Sequence, residues 1–157
     1  MAEFRLTSPA FEHDEDLPAR HTGDGQDVSP PLEWTAPPEG TRELVVIAED
    51  PDADAGVFTH WIVYGILPDA RTLPEGLPDD AIVENEQVSV VQGLNEFDDL
   101  GYSGPVTDED RGPHRLFFRL FALDVELDSL PAGATRAEIR VAAKGHILAT
   151  AELVGIA

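Results

Sequence analysis

Three apolar runs limit what this chain can fold into. Leu44 to Glu49, Trp61 to Leu67 and His114 to Asp124 are rich in β-branched, aromatic and leucine residues. The first two are too short to stand as independent helices, and polar, Pro- and Gly-bearing segments flank them, so they read as strands. The third, HRLFFRLFALD, carries apolar residues on both faces and reads as a central strand. Shorter extended pieces are expected at Glu3 to Thr7, with Phe4 and Leu6 inward, at Leu32 to Trp34, at Val88 to Val91 as an edge strand, and in the closing ATAELVGIA. Residues 8–31 and 68–81 carry Pro and Gly at close intervals and read as irregular loops, which leaves His13 and His21 solvated. The spacing predicts one helix. Thr135 and Glu138 form the T-x-x-E of a capping box, Ile139, Ala142 and Ala143 share a face, and Gly145 is placed to stop the helix in a left-handed turn. Many short strands joined by long loops predict a mainly β protein. It is expected to be an antiparallel β-sandwich with one or two peripheral helices, and 157 residues fit a single domain.

Charge limits the partners. Asp and Glu number 31 against 10 Lys and Arg, a formal net of −21, with Lys144 the single lysine. The acids are scattered rather than gathered in a tail. Self-repulsion of this size is screened at molar salt, where the Debye length is about 3 Å, so a salt-rich cytoplasm is the leading expectation and a docking surface for a basic partner the alternative. With no basic stripe to meet phosphates, nucleic acid is not expected as a partner. No apolar run reaches bilayer length, so membrane insertion is not expected, and MAEFRLTSPA has no signal-peptide pattern. The chain contains no cysteine, which excludes disulfides and thiolate metal sites.

Titratable residues gather where loops meet core strands. Asp50 closes one strand, His60 opens the next, and His114 begins the third after a long polar stretch, QGLNEFDDLGYSGPVTDEDRGPHR. If the first two strands pair as a long-looped hairpin, their ends lie at one edge of the sheet. Period-two counting sets His60 on a face with Ile62 and Tyr64, and His114 with Leu116 and Phe118. GYSGP, residues 101–105, allows close backbone approach and an amide nest for an anion. Two imidazoles can donate to phosphate oxygens, and Asp50 or Asp52 can hold one in the donating tautomer. Each of these residues also has a plain use in shaping a turn. A two-histidine, one-carboxylate metal site from Asp50, His60 and His114 is a further alternative, but nothing like H-E-x-x-H supports it. Ser103 lacks the G-x-S-x-G elbow of a serine hydrolase.

The segments GQDVSPPLEW, AEDPDADAGVFTHWIVYGI, GYSGP, GPHRLFFRLFALD and KGHILATAELVG, in this order, resemble the phosphatidylethanolamine-binding protein family, most of all its bacterial and archaeal Raf-kinase-inhibitor-like branch. The resemblance runs from about residue 4 to residue 156. It implies a β-sandwich with a small anion pocket at one end, formed here by Asp50, Asp52, His60, Tyr102, Ser103, Gly104, Pro105 and His114. Family members bind phosphate, acetate or phospholipid head groups, and some inhibit kinases or serine proteases. The resemblance establishes no catalytic reaction, and the chain is expected to be a non-catalytic binding protein with no catalytic residue, metal or cofactor. The resemblance implies a small anionic ligand, a regulatory protein partner and, from prokaryotic relatives, a homodimer. The alternatives are an acidic-surface interaction protein with a vestigial pocket and a metal-dependent hydrolase. Three departures stand out: Asp54 follows Ala53 where proline is common, VTDEDRG replaces a proline-rich piece, and Leu116 stands where H-R-Y has tyrosine. Asp108, Glu109 and Asp110 near the pocket, and the missing hydroxyl, are both expected to weaken phosphate binding.

Overall fold

A strand with apolar side chains on both faces needs cover on both, and the architecture supplies it. The computed structural model describes residues 3–54, 56–106 and 112–157. Among them the strands are β1 (Leu6–Thr7), β2 (Glu15–Asp16), β3 (Leu32–Trp34), β4 (Glu43–Asp50), β5 (Phe58–Ile66), β6 (Thr72–Leu73), β7 (Ile82–Glu84), β8 (Ser89–Gln92), β9 (Arg115–Leu123) and β10 (Ile147–Ile156), with one α-helix, α1 (Arg136–Ala143). Seven strands form one sheet in the order β2-β10-β9-β4-β5-β8-β7, and β1-β3-β6 form a second. β4 is buried along its whole length. Its residues alternate between two cores. Val46 and Ala48 join Trp61, Leu116, Phe118 and the small sheet's Leu6, Leu32 and Trp34, while Val45 and Ile47 join Ile62, Tyr64, Leu123 and the helix residues Ile139 and Ala143.

The helix forms as its sequence spacing requires. The Thr135 hydroxyl accepts from the Glu138 amide, the Glu138 carboxylate accepts from the Thr135 amide, and Gly145 follows with φ +80°. A buried ion cluster ties α1 to the sheet. Glu49, 2% exposed, accepts from Arg119 at 2.7 Å and from Arg136 at 2.6 Å.

Several sequence expectations are revised. β7, only three residues with Val83 alone buried, forms the sheet edge, so the strand at Ser89–Gln92 lies one place in from it. β2 pairs with β10 in parallel, so the large sheet is mixed rather than purely antiparallel. The loop over residues 8–31 contains β2 and a 3-10 turn, Ala19–His21. His21 is not solvated but fully buried, its Nδ1–H donating to the Val28 carbonyl at 2.8 Å. β5 begins at Phe58, three residues earlier than expected, which puts His60 inside the strand.

The most consequential revision concerns a β-bulge. Ala48 pairs with Trp61, but the next residue, Glu49, pairs with Thr59, so β5 carries one extra residue at His60. Without the bulge His60 would face Glu49 and lie with Ile62 and Tyr64 beneath the helix. Instead its ring lies 4.9 Å from Phe58, which pairs with Asp50. The bulge turns His60 toward the Asp50 side of the sheet, the side on which His114 also lies.

Candidate functional site

Asp50 ends β4 and is 5% exposed. A buried carboxylate needs donors, and two are present. Its Oδ1 accepts from the Asp52 amide at 2.7 Å, shaping the turn out of the strand. Its Oδ2 accepts from His114 Nδ1–H at 2.6 Å. His114 precedes β9 and exchanges backbone hydrogen bonds with Ala157 at 2.6 and 2.9 Å, which hold it in register. His60 is 4% exposed, and its Nδ1–H donates to the Ser103 carbonyl at 2.7 Å. Both rings thus use Nδ1 on the protein, which leaves each Nε2 as the nitrogen available to a ligand.

Asp50, His60 and His114 line one cavity of about 240 Å³, with Phe58, Phe97 and Pro105 among its apolar walls. Four of the eight residues named from the sequence, Asp50, His60, Pro105 and His114, therefore stand in one wall. The other four do not line the cavity. Asp52 grips Arg115 through Nε at 3.0 Å and Nη2 at 2.8 Å. That guanidinium holds the Asp52 carboxyl down to about 2. Tyr102 is buried edge-on against Trp61 and donates its hydroxyl to the His21 carbonyl. Burial pushes that hydroxyl's pKa well up, with the Asp27 carboxylate adding to the effect. The Ser103 hydroxyl accepts from Asn95 at 3.1 Å. The Gly104 amide donates to Asp27 at 2.6 Å, so it is not free to join an anion nest.

The two aromatic residues of the wall escaped the sequence reading. Phe58 and Phe97 stack edge-on at 4.9 Å, and both lie against His60. An isolated aromatic within a polar stretch was the available signal for Phe97. Of the departures noted above, Leu116 is 2% exposed in the sandwich core, so no side-chain donor comes from that position. The acidic segment containing Asp108, Glu109 and Asp110 lies outside the described residues. Among the described residues no cluster of three or more His, Asp or Glu is arranged to hold a metal ion.

Burial lowers the His60 pKa below its ordinary 6.5, against the smaller opposing pulls of the Ser103 carbonyl and of Asp50, Asp27 and Glu96. At neutral pH His60 is therefore a neutral ring with its proton on Nδ1 and a lone pair on Nε2. It accepts a hydrogen bond there until it is protonated. The His114 ring is fixed by the same use of Nδ1, here on the Asp50 carboxylate, so its Nε2 also becomes a donor only in the protonated ring.

The model of the phosphatidylethanolamine-binding protein family matches residues 7–157. The chain belongs to this family. Among similar proteins, the UPF0098 protein of Aquifex aeolicus is 42% identical over 99% of this chain and 88% of its own length. That of Methanothermobacter thermautotrophicus is 41% identical over 96% of both. Two solved structures share the fold. The phosphatidylethanolamine-binding protein homologue CT736 of Chlamydia trachomatis has a TM-score of 0.84 at 36% identity, covering 98% of this chain and 96% of that one. E. coli YBCL, a member of the mammalian PEBP family, has a TM-score of 0.86 at 29% identity, covering 99% and 98%. None of these names assigns a catalytic activity. Among the described residues no helix is long and apolar enough to cross a membrane.

Proposed function

We propose that this member of the family is a non-catalytic binding protein whose pocket takes a small anion, phosphate or a phosphorylated head group. The observation that carries this reading is that His60 and His114 both line one cavity of about 240 Å³ and both spend Nδ1 on the protein, so that Nε2 is the nitrogen each ring has left for a ligand. Asp50 lines the same cavity, but its two oxygens already accept from Asp52 and His114, which mutes its repulsion of an anion. The Ser103 hydroxyl is bonded to Asn95 and does not line the cavity, so it is not paired there with a histidine base as a nucleophile would be. The scattered excess of acids supports a salt-rich cytoplasm as the working environment. A kinase or protease regulated through pocket occupancy extends the same reading.

Proton linkage provides the test. In the free protein the folded-state pKa of His60 lies below the unfolded value of 6.5, so folding opposes its protonation. The stability this residue contributes is present above the unfolded pKa and declines as pH falls from 6.5 toward the lower folded value. An anion reverses the preference, because protonated His60 gains a donor at Nε2 and a favourable charge. Phosphate affinity should therefore rise on going from about pH 8 to about pH 6, with net proton uptake visible as buffer-dependent heats in calorimetry at molar KCl. By NMR the His60 titration should move upward when phosphate is bound. Replacing His60 and His114 by alanine should weaken phosphate by at least about tenfold for each ring lost. Affinity equal to wild type in the double variant would rule the site out.

A further inference from the structure

A second concave site lies on the opposite face of the large sheet. Val45 and Ile47 of β4 point away from the sandwich, and with Phe121, Ile139, Val141 and Ile147 they line a groove of about 490 Å³ between α1 and the sheet. Its floor is core, with Val45, Ile47 and Ile139 at 2% exposure or less, and its rim is open, with Val141 79% and Ile147 47% exposed. The volume falls within the range of small-molecule sites. No carboxylate lines it, in a chain with 31 of them.

The two charged residues in the lining are both cations, Arg140 and Lys144. Arg5, Arg20, Arg115, Arg119 and Arg136 each have a carboxylate partner. Arg140 and Lys144 make no ion pair or side-chain hydrogen bond among the described residues. The C-terminal end of α1 attracts cations, but its partial charge of about −0.5 balances only a fraction of two full positive charges. An apolar trough with surplus positive charge at its rim, on a protein of net charge −21, is complementary to an amphipathic anion. A membrane carrying anionic lipid meets the opposite problem, because the rest of the protein surface repels it.

We propose that this groove is a second ligand site, separate from the histidine pocket, for a small carboxylate or similar anion with an aliphatic or aromatic body. The body occupies the trough against Phe121, Val141 and Ile147, and the head group meets Arg140 and Lys144.

Three probes on the whole chain separate the contributions: decanoate, acetate and decyltrimethylammonium, each followed by backbone amide shifts. Decanoate should perturb α1 and the neighbouring ends of β4 and β9. Acetate, lacking the body, and the cationic amphiphile, carrying the wrong charge, should bind there at least about tenfold more weakly. Changing both Arg140 and Lys144 to Gln, exposed positions where folding is not at risk, should weaken decanoate about three- to tenfold and leave phosphate binding at His60 and His114 unchanged. Val141→Glu should weaken decanoate as well. Equal binding of the two amphiphiles, or no effect of the double Gln variant, would overturn the proposal. So would a dimer in native mass spectrometry that Val141→Glu dissociates, because the groove would then be covered by a second copy of the chain.

Discussion

Trp61→Ala is expected to lower the unfolding free energy by about 3–5 kcal/mol, a large part of the ~5–15 kcal/mol that holds a domain folded. The indole is wholly buried between the two sheets and packs edge-on against Tyr102 at 5.5 Å. Its Nε1–H donates to Gln92 Oε1 at 2.9 Å. Gln92 is itself wholly buried and spends its amide on the carbonyls of Pro78 and Asp80 at 2.7 and 2.9 Å. Removing the indole therefore opens a cavity and orphans a buried acceptor. Trp61→Phe separates the two losses. Much of the apolar contact survives, the donor does not, and about 1–3 kcal/mol should go. Urea titration in molar KCl, where the acidic surface is screened, measures both variants. An alanine variant no less stable than the phenylalanine one would show that the cavity matters little.

The same tryptophan marks the limit of what sequence reading reaches. β4, β5 and β9 are visible in the sequence because their apolar runs are long enough to show a pattern, and α1 because its cap, face and stop occupy fixed spacings. β2 and β7 leave no such trace. Neither residue of β2 is buried, and only one of three in β7 is, so their pairing is set by the strands they meet rather than by their own side chains. Within the site, Asp50, His60 and His114 could be named because charged groups beside core strands are costly unless satisfied. The face of His60 could not. Thr59-His60-Trp61 contains no glycine or proline to mark a bulge, and the bulge arises from contacts distant in sequence. Trp61 must reach Gln92 on one side of the sheet, while Thr59 reaches Glu96 on the other. The residue between them is turned to the pocket as a result. Tyr102 and Gly104 illustrate the converse, because GYSGP resembles an anion loop in sequence, whereas in the fold their polar groups serve His21 and Asp27.

That loop supplies the second large effect. Gly104→Ala should destabilise the protein by about 1–3 kcal/mol and weaken phosphate at least about tenfold, although Gly104 does not line the pocket. A Cβ there would sit 2.4 Å from the His21 carbonyl oxygen, 3.0 Å from the Tyr102 hydroxyl and 3.1 Å from Asp27. The nearest of these is backbone, pinned by the Tyr102 hydroxyl and by the buried His21 ring, so the loop must yield instead. Movement at Gly104 displaces the adjacent Ser103 carbonyl, the group that keeps the His60 proton on Nδ1. The ring would then distribute its proton between both nitrogens, which ring ¹⁵N shifts detect directly. Gly145→Ala is the matched control. Its Cβ meets nothing within 4 Å, and its only penalty is the left-handed backbone at φ +80°, about 1–2 kcal/mol. It should cost comparable stability and leave phosphate affinity and the His60 tautomer untouched. If Gly104→Ala behaved like Gly145→Ala in both readouts, the loop would not be what orients His60, and the link from GYSGP to anion binding would be lost.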